Sequence, residues 1–513
     1  RYSTLGFMSA LGINFGTGTA IPYYQDITTR FNFPTEKAGT FSVFAIGGVS
    51  QIDLISSNEE DTVDNLYNND LDIYDRSKTG IAGISHQYLI DNSSYTKFTL
   101  AASYVMNSDL IDSISPETLD PVPYYSQNFT QTKIAGNFFY KKKFNTKHNL
   151  QIGVRFDEFL VDIIDSIYRS TIDRYITLTE YDGNTFLLQP YAQYQYRVSD
   201  KMSLNAGLHY QYLGLNGSSS LEPRAGIKYQ INEKNALSFG YGLHSMMAPI
   251  ATYFKTVEAG VGNYITPNDS IDFVKAHHIV LGYDLQLSPT IRMKTEVYYQ
   301  HLYDVLIDKD SSSYSVLNTG SLTFGSPDYL KNSGTGRNYG AELTLEKFMD
   351  KGMYFLVTGS LYRSEYTGSD KIERESAFSG NYVTNFVGGK EFTLFPNRVG
   401  QKTKKSIVLD TKFTLAGGQR YTPIDLEESI LAGETKYDWD NAYGDQFDDY
   451  MRLDLRTAFK MDGKFATQEW AIDIQNITSR QNPLYQRFNP IEGQIDTVYQ
   501  LGFFLVPQYR ITF

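Results

Sequence analysis

Hydrophobic and polar residues alternate along almost the whole chain, so the first expectation is strand rather than helix. The clearest example is a hairpin in which Gln127–Phe144 turns through Asn145–Thr146 into Lys147–Asp162. Leu150, Ile152, Val154 and Phe156 fall on one face; Gln151, Gly153, Arg155 and Asp157 fall on the other. Similar runs are expected at Arg1–Gly12, Pro22–Phe33, Ala38–Asp53, Gly80–Ile90 and Tyr95–Asp109, and onward to the end. The connections alternate in length. Tight turns are read at Ser199–Asp200, Asn232–Lys234, Ser288–Pro289, Asp350–Gly352 and Asp462–Gly463. Long connections are read at Leu54–Thr79, Ile163–Gly183, Met246–Val274, Asp308–Thr335, Thr367–Asn381, Ile424–Tyr450 and Arg480–Gln500, with Phe395–Thr403 of middling length.

About twenty strands result, with short turns on one rim and long loops on the other, as a transmembrane β-barrel requires. The chain ends on such a strand. In Leu501–Phe513, Leu505, Pro507, Tyr509, Ile511 and Phe513 share one face, and Gln508, Arg510 and Thr512 the other. Counted from the first strand, the tight turns lie on the rim where Phe513 ends, the periplasmic side. The fold class predicted is all-β, a transmembrane antiparallel barrel. A soluble propeller or sandwich would show shorter, evenly spaced strands.

Charge patterning fixes which face is which. Glu222, Arg224 and Lys228 share a face, as do Arg292, Lys294 and Glu296, and Arg452, Asp454 and Arg456. Opposite them stand Ile227, Tyr229 and Ile231, then Met293 and Val297, then Leu453, Leu455 and Phe459. Charges facing lipid cost a few kcal/mol each near the midplane, so the charged faces point into the lumen. They are expected to pair with one another across it.

Composition agrees. Aromatic residues make up 15 % of the 513, with 41 Tyr and 32 Phe, and tyrosine suits a lipid–water boundary. No apolar run approaches a membrane helix, but a strand apolar on one face spans a bilayer without one. The net charge of −12 is concentrated in Ile55–Thr79 and Ile424–Tyr450, and elsewhere acids and bases nearly balance. That leaves no basic nucleic-acid face. The absence of cysteine removes thiolate chemistry and suits a chain that crosses an oxidising compartment unfolded. With Arg1 rather than Met at the start and no signal peptide, the sequence is expected to be part of a longer precursor.

Several stretches resemble the barrel of TonB-dependent outer-membrane receptors of the Bacteroidetes kind, the carboxypeptidase-regulatory-like subgroup. They are IPYYQDITTRFNF (Ile21–Phe33), SLEPRAGIKYQI (Ser220–Ile231), GLHSMMAP (Gly242–Pro249), GGQRYTP (Gly417–Pro423), DYMRLDLR (Asp449–Arg456), WAIDIQNITSRQNP (Trp470–Pro483) and YQLGFFLVPQYRITF (Tyr499–Phe513). No single motif decides; their order along the chain does. The resemblance implies a 22-strand wall, of which about twenty strands are here, with a plug domain and the first strands upstream. It implies active uptake across a Gram-negative outer membrane of a siderophore, vitamin, peptide or glycan, driven by a TonB-type energy-coupling complex. Expected surroundings are outer-membrane lipid and lipopolysaccharide, with room for a surface lipoprotein or a larger assembly. The alternative is a barrel that no longer transports and serves as a scaffold subunit. Tyr509, Ile511 and Phe513 resemble the C-terminal signal read by the barrel-assembly machinery.

No catalytic constellation, metal site or cofactor is read from the sequence. His277 and His278 are adjacent and face opposite sides of a strand. His244 with Met246 and Met247 is read as a strand end rather than a haem or copper site. At the mouth, Tyr437, Trp439, Tyr443 and Phe447 stand among carboxylates and are the ligand-contact candidates. Asp-Ser/Thr-aliphatic triplets place Thr62, Ser113, Ser166, Ser270 and Thr497 as O-glycosylation candidates, each in a connection assigned to the extracellular rim; the triplet resembles the Bacteroidetes O-glycosylation signal.

Overall fold

The computed structural model describes residues 22–55, 57, 71–114, 120–260, 263–319, 327–395, 403–490 and 492–513. The first expected strand, Arg1–Gly12, and Thr62 lie outside them. One antiparallel sheet of 20 strands dominates. Its wall strands are β1 (Tyr23–Pro34), β2 (Thr40–Ile55), β3 (Leu71–Asp91), β4 (Ser94–Ile114), β5 (Pro121–Lys143), β6 (His148–Arg169), β7 (Arg174–Arg197), β8 (Met202–Leu213), β9 (Ser219–Gln230) and β10 (Asn235–Met246). They continue with β11 (Val274–Ser288), β12 (Ile291–Asp308), β13 (Leu330–Asp350), β14 (Met353–Thr367), β15 (Tyr382–Leu394), β16 (Lys404–Ala416), β17 (Tyr450–Asp462), β18 (Thr467–Gln475) and β19 (Phe504–Thr512). The twentieth member is the short Glu373–Glu375, added to the outer end of β14. Each wall strand pairs with the next in sequence, the up-and-down topology of a barrel wall. Among the described residues no ladder joins β1 to β19.

The predicted faces hold. Ile152, Val154, Phe156 and Leu160 of β6, and Ile227 and Tyr229 of β9, are exposed on the outside. An aromatic girdle stands near the tight-turn rim, where Tyr509 lies 5.4 Å from Trp470, itself 5.9 Å from Phe459. Near the other rim, on the outer face, His277 lies between Tyr241 and Tyr303 in stacked geometry. Amphipathic rings at both water boundaries are what a membrane barrel selects.

Three connections are shorter than expected, for one reason. β3 starts at Leu71 rather than Gly80; β4 continues to Ile114 and β5 starts at Pro121; and the expected loop Ile163–Gly183 is mostly strand, with β6 and β7 joined by the short turn Ser170–Ile172. A tilted strand needs only about 9–11 residues to cross the hydrocarbon, whereas β3 to β7 have 21 to 24. The surplus rises above the membrane, where polar outward residues carry no penalty. Alternation is therefore a poorer guide to where such strands stop.

The projecting wall encloses a small core of its own. Val161, Ile163, Leu187 and Leu213 pack with Ala248, Ile250, Tyr253, Phe254, Ile271 and Phe273 from the connection between β10 and β11, and with Leu306 and Leu330. Tyr181 stacks on Phe254. Fully buried Asn268 donates from its amide to the Asp328 carbonyl at 3.2 Å and accepts from Leu330 N–H at 2.9 Å. This long loop is thus folded against the inner side of the wall.

Candidate functional site

The lumen wall begins as residues two apart on neighbouring strands. Its charges do pair, but laterally along the wall rather than across the lumen, because cross-strand neighbours are only about 5 Å apart and the two sides of so wide a barrel are not in reach. Arg292 on β12 binds Asp284 on β11, and Lys294 meets Glu296 at 2.6 Å. Arg456 on β17 holds Glu469 at 2.6 Å and Asp473 at 2.8 Å, both on β18.

Glu222 is the most enclosed of these groups, with no exposed surface. Its Oε2 accepts from Arg224 at 2.7 Å and meets His209 Nδ1 at 3.0 Å. Its Oε1 accepts from Gln211 Nε2 at 2.5 Å and from the Ser245 hydroxyl and N–H at 2.5 and 3.1 Å. A buried carboxylate satisfied on both oxygens ties β8, β9 and β10 together. The sequence reading found Glu222 and Arg224 but missed His209, Gln211 and Ser245. Register alone brings His209 opposite Glu222.

Beneath the loops lies a recess of about 560 Å³ in the inner wall. Glu296 and Tyr298 of β12, Glu342 of β13 and Tyr362 of β14 form its base, and Leu317 and Phe378 come from the loops above. Glu342 makes no hydrogen bond or ion pair among the described residues. Phenols, amides and a free carboxylate under two apolar side chains suit a ligand rich in hydrogen-bond donors with an apolar face. Tyr298 and Phe378 are far apart in sequence, and no spacing pattern joins them.

The loops above interlock. Buried Tyr366 meets Tyr443 edge-on at 6.1 Å; Arg420 pairs with Glu375, and Arg374 with Asp370 at 2.7 Å. Burial pushes the Tyr314 phenol up to about 12 and raises that of Tyr443, so both are neutral at physiological pH. The four mouth aromatics divide into two kinds. Tyr437 and Trp439 stand together, 5.7 Å apart and exposed. Tyr443 packs on Tyr366, and Phe447 stacks on Tyr421 at 4.1 Å, inside the loop's own structure.

The glycosylation candidates also divide. Ser270 is exposed in the β10–β11 loop. Ser166 is not in a connection: it lies within β6, paired with Thr177 and buried. Ser113 lies within the end of β4, and Thr497 in the hairpin strand Gln494–Tyr499. The strand overshoot explains Ser113 and Ser166. At the C-terminus, Tyr509, Ile511 and Phe513 project outward from the last strand and its end, with Phe513 93 % exposed. Among the described residues no group of three or more metal-ligating side chains exists.

Solved structures share this architecture. The ferric-catecholate import receptor Fiu of Escherichia coli K12 superposes with a TM-score of 0.68 at 10 % identity, over 97 % of this chain and 76 % of that one. The pyoverdine outer membrane receptor FpvA of Pseudomonas aeruginosa gives 0.68 at 11 % identity, over 96 % and 71 %. The ferric yersiniabactin uptake receptor FyuA of Yersinia pestis gives 0.66 at 12 %, over 96 % and 71 %. At such identities the likeness is one of fold. No curated protein sequence matches the chain. Residues 10–477 match the family described as TonB dependent receptor-like, beta-barrel, and the chain belongs to that family.

Proposed function

We propose that this barrel takes up an extracellular ligand across a Gram-negative outer membrane, of the Bacteroidetes type, with energy from a TonB-type complex. A plug domain of the same precursor, and further wall strands completing a total of 22, would occupy the lumen and the gap beside β1 and β19. Unpaired strand edges in lipid are costly. The observation that carries the reading is the inner-wall recess beneath interlocked loops, in a chain of this family. Siderophores are the first class to test, since Fiu is described as a ferric-catecholate import receptor, FyuA as a ferric yersiniabactin uptake receptor and FpvA as a pyoverdine receptor; a vitamin, peptide or glycan comes next.

The test is accumulation of labelled ligands by the host strain with and without the gene. One ligand should accumulate only in the parent, and a protonophore should abolish that accumulation. Equal accumulation of every ligand class in both strains would overturn the proposal. A second expectation concerns the mouth. Peptide mapping of protein from its own host should find O-linked sugar on exposed Ser270 and none on Ser166, where a glycan would have to displace packed wall. Sugar on a tight-turn residue would contradict the assigned topology.

A further inference from the structure

We propose that His244 and His278 form a two-imidazole docking point on the inner wall for an anionic transition-metal chelate. The inference rests on the uptake reading, because it treats the metal as cargo.

The pair is built by register. On β10 and β11, Gly242 lies opposite His278, and His244 opposite Ala276. His244 and His278 are therefore diagonal neighbours, both on the face of Glu222 and Arg224. Their ring centroids are 4.6 Å apart with planes tilted by 44°. Two imidazoles that share one ion at about 2.1 Å, with a roughly right-angled bite, have centroids about 4.5 to 5 Å apart. Gly242 makes this arrangement possible. A Cβ there would lie 2.5 Å from His244 Nε2, so the missing side chain lets the ring fold back along its own strand toward His278.

The ring nitrogens are also uncommitted. His86, His148, His209 and His277 each have a hydrogen-bond partner. Among the described residues, none is found for His244, His278 or His301, and His301 stands opposite His277 on the outer face, away from the pair. The partner of His244 is thus the imidazole across the ladder, not Met246, which is exposed, or Met247, which packs on the loop core.

The chemistry of the cargo follows from what the wall does not supply. Two nitrogens without a third protein ligand hold an ion weakly, so the ion must bring its own ligands and keep two adjacent positions open. Arg224 stands on β9 opposite Gly242, paired on one side with Glu222 at 2.7 Å and with its side chain 44 % exposed. Because Glu222 balances its charge, the pair offers a bare divalent cation no net negative field, while the exposed side of the guanidinium can donate to the oxygens of an anionic chelate. Imidazole suits Cu²⁺, Ni²⁺ and Zn²⁺, with Cu²⁺ bound most tightly.

Metal nitrilotriacetate is the matching probe: an anionic chelate with two adjacent open sites. The full-length protein, purified without a histidine tag, would be titrated with Cu²⁺–nitrilotriacetate and followed by electron paramagnetic resonance. Wild type should show hyperfine coupling to two imidazole nitrogens at one copper. Affinity should fall at least tenfold in His244→Ala and in His278→Ala, and measurably in Gly242→Ala, which keeps both histidines but displaces one ring. His301→Ala should change nothing. Heat-modifiable migration would verify that each variant is folded, and the wild-type spectrum decides the matter without any variant. A spectrum with no two-nitrogen component, or unchanged affinity in the two histidine variants, would overturn the site. Energy-dependent uptake is read separately. Uptake with no two-nitrogen copper leaves the transport reading standing and removes this site; two-nitrogen copper without any energy-dependent uptake does the reverse.

Discussion

Replacing Glu222 with leucine is expected to lower the stability of the folded barrel by about 3–5 kcal/mol, the usual result of removing one member of a buried charged cluster. The leucine fits the space, but Arg224, His209 and Ser245 lose their acceptor, while Gln211 keeps only the Ser245 carbonyl and hydroxyl. Each donor left unsatisfied costs more than its hydrogen bond contributed. Glu222→Gln should cost less, because the amide oxygen still accepts from Ser245 or Gln211 while the charge facing Arg224 is gone. The measurement is the urea midpoint at which the compact, heat-modifiable form disappears. An E222L midpoint equal to wild type would mean that the cluster stabilises nothing. The effect should persist in high salt, since a group with no exposed surface is screened little.

Replacing Phe513 with a polar residue is expected to reduce the amount of assembled barrel severalfold while leaving the stability of what does assemble unchanged. The structure separates these two effects. Phe513 is 93 % exposed in the isolated chain and lies one residue beyond the last ladder pair, Thr467 with Thr512. It contributes almost no packing within the chain, so its loss cannot act strongly through the folded state. Tyr509 differs. It packs on Trp470 and donates its hydroxyl to Gln468 at 3.1 Å, so Tyr509→Ser should lower both yield and midpoint. Abundance in the outer membrane and the urea midpoint are measured on the same preparations. Unchanged abundance of the Phe513 variant would remove it from the assembly signal.

The sequence by itself determined the wall. A period of two, tight turns alternating with long loops, and charges confined to one face require a sheet with lipid on one side and water on the other. Those are local properties, repeated strand after strand. The outward placement of Tyr509, Ile511 and Phe513 was legible for the same reason. The sequence also located every tight turn that the structure shows at Ser199–Asp200, Asn232–Lys234 and Asp462–Gly463. It could not show where strands stop once they leave the membrane, because alternation persists while the penalty for polar outward residues vanishes; Ser166 was misplaced on that account. The fate of the mouth aromatics was likewise undetermined. Tyr443 is committed to Tyr366, distant in sequence, while Tyr437 and Trp439 stay exposed. The Glu222 cluster, the recess between Tyr298 and Phe378, and the His244–His278 pair were decided only by tertiary structure. Each depends on the register between strands, and shifting one ladder by a single residue would turn its side chains to the opposite face.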